Sequence, residues 1–187
     1  MLFRSSLVRQ AYDSARAELP NEVPLRVLFS AHGLPEVIVR SGDPYQWQIE
    51  QTVAGVLNSW GRADLAWRIC YQSRATPQQW IGPSTDAEIE HAAHDKAAIL
   101  IVPIAFVSEH SETLVELDID YRALGERLDI PGYYRAPTQN FDPGFIAALA
   151  GLVRRARAVG PGLCSHAGGR ICPADRRSCP LAAVGAQ

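Results

Sequence analysis

The sequence predicts an α/β domain, a doubly wound four-stranded parallel sheet with helices on both faces. Three observations predict it. Strand-length apolar runs alternate with helix-length stretches along the chain. The runs are nearly continuous in apolar residues, as strands covered on both faces require. With 187 residues, 47% hydrophobic and 20% charged, the chain has room for one core and a short appendage.

Apolar residues at helical spacing (Leu7, Val8, Tyr12, Ala15, Leu19) predict a first helix over 4–18, stopped by Pro20. LRVLFSA at 25–31 is the first strand, closed by His32-Gly33-Leu34-Pro35. Residues 44–59 follow as a helix, with Pro44 near the start and Gly61 just past the end. LAWRICYQS at 65–73, rich in aromatic and β-branched residues, is the second strand. Ser84, Thr85 and Asp86 suit the cap and first turn of a helix over 84–96. The third strand, 97–106, is the most apolar and the most deeply buried. A long helix is expected over 109–128, a short fourth strand over 132–137 and a last helix over 142–158 after Asn140 and Asp142. At Val159 the composition shifts to a tail rich in Gly, Pro, Cys and Arg.

A formal net charge of −2 gives no electrostatic footprint for nucleic acid. The longest apolar run, 97–107, contains Pro103 and is too short to cross a bilayer as a helix. The first residues show no signal-peptide pattern, so the cytoplasm is the expected compartment.

In open parallel sheets ligands gather at the carboxyl ends of the strands. His32, Gln72-Ser73-Arg74 and the stretch from Val107 to Glu112 are all expected on that rim. A histidine at a strand end can bind a metal or accept a proton near neutral pH, or simply bond to its own loop. Glu112, Glu116 and Asp120 recur every fourth residue, so one helix face carries three carboxylates with no intervening cation. Such a stripe serves cation binding or proton uptake, or is only a solvated face. Trp80 suits stacking on a planar aromatic ligand or packing in the core, and Arg74 is either a carboxylate binder or a surface cation that binds nothing. Cys70, inside a strand, reads as a packed thiol. Cys164, Cys172 and Cys179 form a C-x7-C-x6-C cluster that reads as a metal or cluster site, or as a disordered tail.

SAHGLP at 30–35, GDPY at 42–45, YQSR at 71–74, WIGPST at 80–85, VPIAFVSEHSETLVELDIDY at 102–121 and YYRAPTQN at 133–140 occur in the order and spacing of ferrochelatases. Over those blocks the chain resembles the carboxy-terminal half of that family. Ala75-Thr76-Pro77 stands where the family usually shows Val-Gly-Pro.

The resemblance implies insertion of Fe²⁺, as substrate, into protoporphyrin IX to make protohaem. It implies that His32 and Glu112 face each other across the porphyrin as metal ligands and proton acceptors. Glu116, Asp118 and Asp120 then form a path for protons or metal, and Trp80 lines the porphyrin pocket. Residues 1–158 correspond to the carboxy-terminal lobe. Residues 159–187 correspond to a tail like the extension that carries a [2Fe-2S] cluster in some ferrochelatases, with Cys164, Cys172 and Cys179 as ligands. A thiolate of the other lobe or His166 is then the fourth ligand. The expected partners are an amino-terminal lobe outside this chain or a second copy of it, together with peripheral membrane contact. The alternative is a non-catalytic single-lobe remnant, or a tetrapyrrole- or metal-binding domain that needs a partner lobe.

Overall fold

The computed structural model describes residues 2–73 and 76–182. Arg74 and Ala75, singled out above, lie outside the described residues. In chain order the elements are α1 (Leu2–Glu18), β1 (Leu25–His32), the short α2 (Glu36–Arg40), α3 (Tyr45–Trp60), β2 (Trp67–Gln72), α4 (Thr85–His94) and β3 (Ala98–Pro103). A π-helical segment (Glu112–Asp120) runs into α5 (Tyr121–Arg127), followed by β4 (Tyr133–Arg135), α6 (Pro143–Val159) and a closing 3₁₀ turn (Pro180–Ala182).

The sheet is parallel throughout, in the order β2-β1-β3-β4. Register aligns the functional rim: His32 pairs with Gln72, and Ser30 with Pro103, so β1, β2 and β3 end together. The strand period of two divides the apolar residues between two cores. Val27, Phe29, Ala31, Leu100 and Val102 meet α1 and α3 through Val8, Tyr12, Ala15, Val53 and Val56. Leu28, Cys70, Ile99 and Ile101 meet α4, the π-helical segment and α5 through Ile89, Ala92, Leu117 and Tyr121. Every residue of β3 is buried, which explains its unbroken apolar run. Each such Leu or Ile contributes about 1.5–3 kcal/mol by leaving water.

Local chemistry ends the helices where the sequence indicates. Ser84 accepts from the Ala87 amide and Asp142 from the Phe145 amide, each capping its helix. Gly61 closes α3 in the left-handed conformation, at φ 73°. The expected helix over 109–128 differs from expectation. It begins at Glu112, and its first nine residues are π-helical. Groups from the sheet intrude on the ladder: Gln72 Nε2 donates to the Glu112 carbonyl and the Tyr133 hydroxyl to that of Leu117. The Tyr121 amide bonds to the Glu116 carbonyl five residues back, the spacing of a π-turn.

Candidate functional site

His32 is the last residue of β1, and its half-exposed imidazole looks across the rim at Glu112, the first residue of the π-helical segment. Nε2 of His32 lies 3.9 Å from Oε1 of Glu112. The other nitrogen, Nδ1, is 2.6 Å from the Gly33 carbonyl. A carbonyl only accepts, so Nδ1 donates to it, and Nε2 is the ring nitrogen that faces Glu112. The Tyr45 hydroxyl donates to the His32 carbonyl at 3.0 Å. Burial, with the Glu112 charge adding to it, pushes the Tyr45 phenol up to about 12, so it remains a donor.

The approach to Glu112 is equally constrained. Its amide donates to His110 Nδ1 at 3.2 Å, while the His110 amide and the Thr113 hydroxyl close a tight loop ahead of it. Phe106 packs against the His110 ring with centroids 5.0 Å apart. The loop is then clipped to the strand beyond it. Glu109 accepts from Arg135 at 3.1 Å and from the amide and hydroxyl of Thr138, and the Asn140 side chain accepts from the Glu109 amide.

The remaining acids of the segment have separate fates. Both oxygens of Glu116 are occupied, by Gln72 Nε2 at 2.8 Å and by the amide and hydroxyl of Ser73. Ser73 reaches them from a left-handed backbone, φ 61°, a strained conformation for a serine held here by the bonds it makes. Asp118 turns away to a forked ion pair with Arg135, Oδ2 2.8 Å from the second guanidinium nitrogen. Asp120 stands exposed at the end of the segment. The structure therefore joins His32, Glu112 and Glu116 around the ends of β1 and β2, and it leaves Asp118 on the flank beside β4. Trp80, half-buried, joins the same rim: its backbone bridges to Pro35 after β1, and its indole N–H donates to the Thr76 carbonyl at 3.0 Å.

Three of the residues that hold this site carried no assigned role in the sequence. Gln72 had a legible signal, an amide ending an apolar strand. Tyr45 and Arg135 lay inside recognisable blocks without a sign of what they touch.

Cys70 is fully buried, between Phe29 and Thr85, and burial pushes its thiol up to about 12, so it is the packed thiol expected. In the tail, Cys164 is exposed, Cys172 half-buried and Cys179 buried. The thiols of Cys172 and Cys179 lie within hydrogen-bonding reach of each other. Among the described residues no three His, Cys, Asp or Glu groups come together as metal ligands. Two adjacent thiols do not fit a cluster that takes four ligands. No described helix is long and apolar enough to cross a membrane.

The ferrochelatase family model matches residues 3–157. The ferrochelatase of Caulobacter vibrioides (strain NA1000 / CB15N) is 45% identical over 174 residues, 93% of this chain and 49% of its own length. That of Hyphomonas neptunium is 47% identical over 169 residues, covering 89% and 46%, and that of Rickettsia conorii 46% identical over 156 residues, covering 82% and 45%. The chain thus spans about half the length of the curated relatives it matches.

Proposed function

The chain belongs to the ferrochelatase family, and we propose that it forms the metal-donating side of a site that inserts Fe²⁺ into protoporphyrin IX. The observation that carries this reading is the opposition of His32 Nε2 and Glu112 Oε1 at 3.9 Å. Divalent ions of this type sit about 2.0–2.2 Å from nitrogen and oxygen ligands, so a single ion held by both atoms fits that gap. The same two groups, an imidazole nitrogen and a carboxyl group, are the residue types that can receive the protons the pyrrole nitrogens must lose. Glu116, already holding three donors, adds fixed negative charge behind Glu112, which lowers the cost of bringing a cation into the rim. Asp120 is the outer step of that path. Asp118 is a candidate member only if it leaves Arg135. Trp80 offers an aromatic wall for a flat macrocycle.

The substrate needs a second wall. Val107, Leu114, Val115 and Ile119 are exposed beside the site. In α6, Ile146, Leu149, Leu152 and Val153 are exposed, and the helix buries no residue. The proposed cover is a second α/β lobe, either the other half of the relatives' length or a second copy of this chain. Residues 159–187 are taken as a tail appended to the 1–158 lobe, and no step is assigned to a [2Fe-2S] cluster there. Cytoplasmic placement and peripheral membrane contact belong to the same reading.

The test is anaerobic metal insertion, with Fe²⁺ and protoporphyrin followed by loss of porphyrin fluorescence. It is run on the chain alone and on the chain mixed with the amino-terminal half of the Caulobacter relative. Turnover abolished by His32→Ala supports the reading. A folded sample that neither turns over nor binds porphyrin in either mixture overturns it.

A further inference from the structure

Gln72 is the last residue of β2 and, at 1% exposure, one of the most deeply buried polar side chains of the protein. A buried amide costs free energy unless its polar atoms find partners. A methionine would fill the same space, so packing alone does not call for an amide there. The bonds it makes do.

Its orientation is fixed by chemistry. Nε2 lies 3.1 Å from the Glu112 carbonyl, which can only accept, so the nitrogen faces that carbonyl. Oε1 then faces the Ser30 hydroxyl, which donates to it at 2.8 Å, with the Thr85 hydroxyl 3.2 Å behind Ser30. The second hydrogen of Nε2 reaches Glu116 Oε2 at 2.8 Å.

The main chain of the same residue reaches the other side of the site. Gln72 pairs with His32 in the ladder, and its carbonyl accepts from the Gly33 amide at 2.8 Å. That amide belongs to the peptide joining His32 to Gly33. The carbonyl taken by Nε2 belongs to the peptide joining Glu112 to Thr113. Gln72 therefore grips the peptide leaving His32 with its backbone and the peptide leaving Glu112 with its side chain.

We propose that Gln72 is a positioning residue for metal insertion: its side chain draws the start of the π-helical segment onto β2 and so sets the gap across which Glu112 faces His32. The proposal rests on the roles read for those two residues, and it names a third that acts through both without touching the metal. One ion at about 2.0–2.2 Å from each ligand atom spans no more than about 4.4 Å, so the observed 3.9 Å leaves little room for drift.

Gln72→Met keeps the length of the side chain and removes both donors. Ser30→Ala keeps the amide and removes the hydroxyl that orients it. Crystal structures of the wild type and both variants read the gap directly, without need of turnover. Expected in Gln72→Met is a separation of His32 and Glu112 beyond about 4.4 Å, with β1 and β3 unmoved. Where the wild type turns over with the amino-terminal half of the Caulobacter relative, the KM for Fe²⁺ rises about 10- to 100-fold in Gln72→Met, the usual cost of losing a group that orients a metal ligand. The KM for porphyrin stays the same. Ser30→Ala shifts the gap less and raises the KM for Fe²⁺ about two- to tenfold, the worth of one hydrogen bond. A purely structural role would lower the urea midpoint and leave the ratio of the two KM values as it is, and that result overturns the proposal. So does a Gln72→Met structure with the gap unchanged. If Gln72→Met does not fold, an unchanged gap and an unchanged KM for Fe²⁺ in Ser30→Ala overturn it equally. A wild type without turnover counts against the proposed activity, and the crystal structures then decide the role of Gln72.

Discussion

At the scale of single residues, the four acids of the Glu112–Asp120 segment look alike in sequence and differ completely in place. Glu112 is the one whose carboxylate stands opposite His32. Removing its charge with Glu112→Gln keeps the shape and should lower insertion turnover by about 10²–10⁴, the range for losing a positioned proton acceptor. The measure is the initial rate of fluorescence loss at saturating porphyrin. Asp118 and Asp120 give a sharper contrast. Asp118→Asn leaves Arg135 half-paired in a pocket where its own side chain is 13% exposed, so the expected loss is stability, about 1–3 kcal/mol after allowing for the exposure of the pair. Asp120→Asn disturbs nothing buried and should leave the unfolding midpoint within about 0.5 kcal/mol, while raising the KM for the metal. Denaturant unfolding and metal-dependent rates on both variants decide it. An Asp118→Asn variant with an altered metal KM and unchanged stability would return Asp118 to the cation path.

At the scale of elements, the sheet was the most legible part of the sequence and the π-helical segment the least. A strand buried on both faces announces itself in its own residues: β3 needs no partner to be read, because each of its positions is apolar. Capping is local as well, so Ser84 and Asp142 could be assigned their helices from a few residues. A π-turn is not local. It arises here because Gln72 and Tyr133 reach in from other strands to take carbonyls of the helix, contacts separated by 40 and 16 residues in the chain. The candidate site divides the same way. His32 and Glu112 were visible as residue types in specific motifs, while Tyr45, Gln72 and Arg135 act through partners that only the fold supplies. The loop before α3 carries a further prediction. Gly42 has φ 101°, and a Cβ there would sit 2.8 Å from the Arg177 amide nitrogen. Gly42→Ala combines a left-handed strain of about 1–3 kcal/mol with a clash that only undocking of the tail relieves. Limited proteolysis should cut the variant within the tail many times faster than the wild type, with the sheet region still protected. Equal cleavage rates would mean that the tail is not held at Gly42.

At the scale of the whole molecule, covering the sheet on both faces encloses ionisable groups that are neutral at ordinary pH, and this makes stability depend on alkali. Burial pushes the Cys70 thiol up to about 12 and the Tyr45 phenol likewise, and it raises Tyr71, Tyr121 and Tyr133 further still. Unfolding returns the thiol to its ordinary 9.0 and the phenols to 10.0. Below those values both states hold their protons, and the stabilisation is complete. Above them the unfolded chain sheds protons that the folded chain keeps, so stability falls as pH rises toward the folded values. Each fully engaged group takes about 1.4 kcal/mol per pH unit. The order of onset identifies the groups. The thiol begins first, over the unit in which the phenols are still silent, and the four tyrosines then steepen the decline together. Urea unfolding from neutral pH to about pH 11 should therefore show a plateau, a shallow fall and a steep fall. In Cys70→Ala the shallow fall should vanish, and the plateau should extend until the phenols engage. Identical profiles for the two proteins would mean that the thiol between Phe29 and Thr85 titrates as freely in the folded chain as in the unfolded one. That would contradict the closed packing of the α4 face, on which both the second core and the anchoring of Gln72 depend.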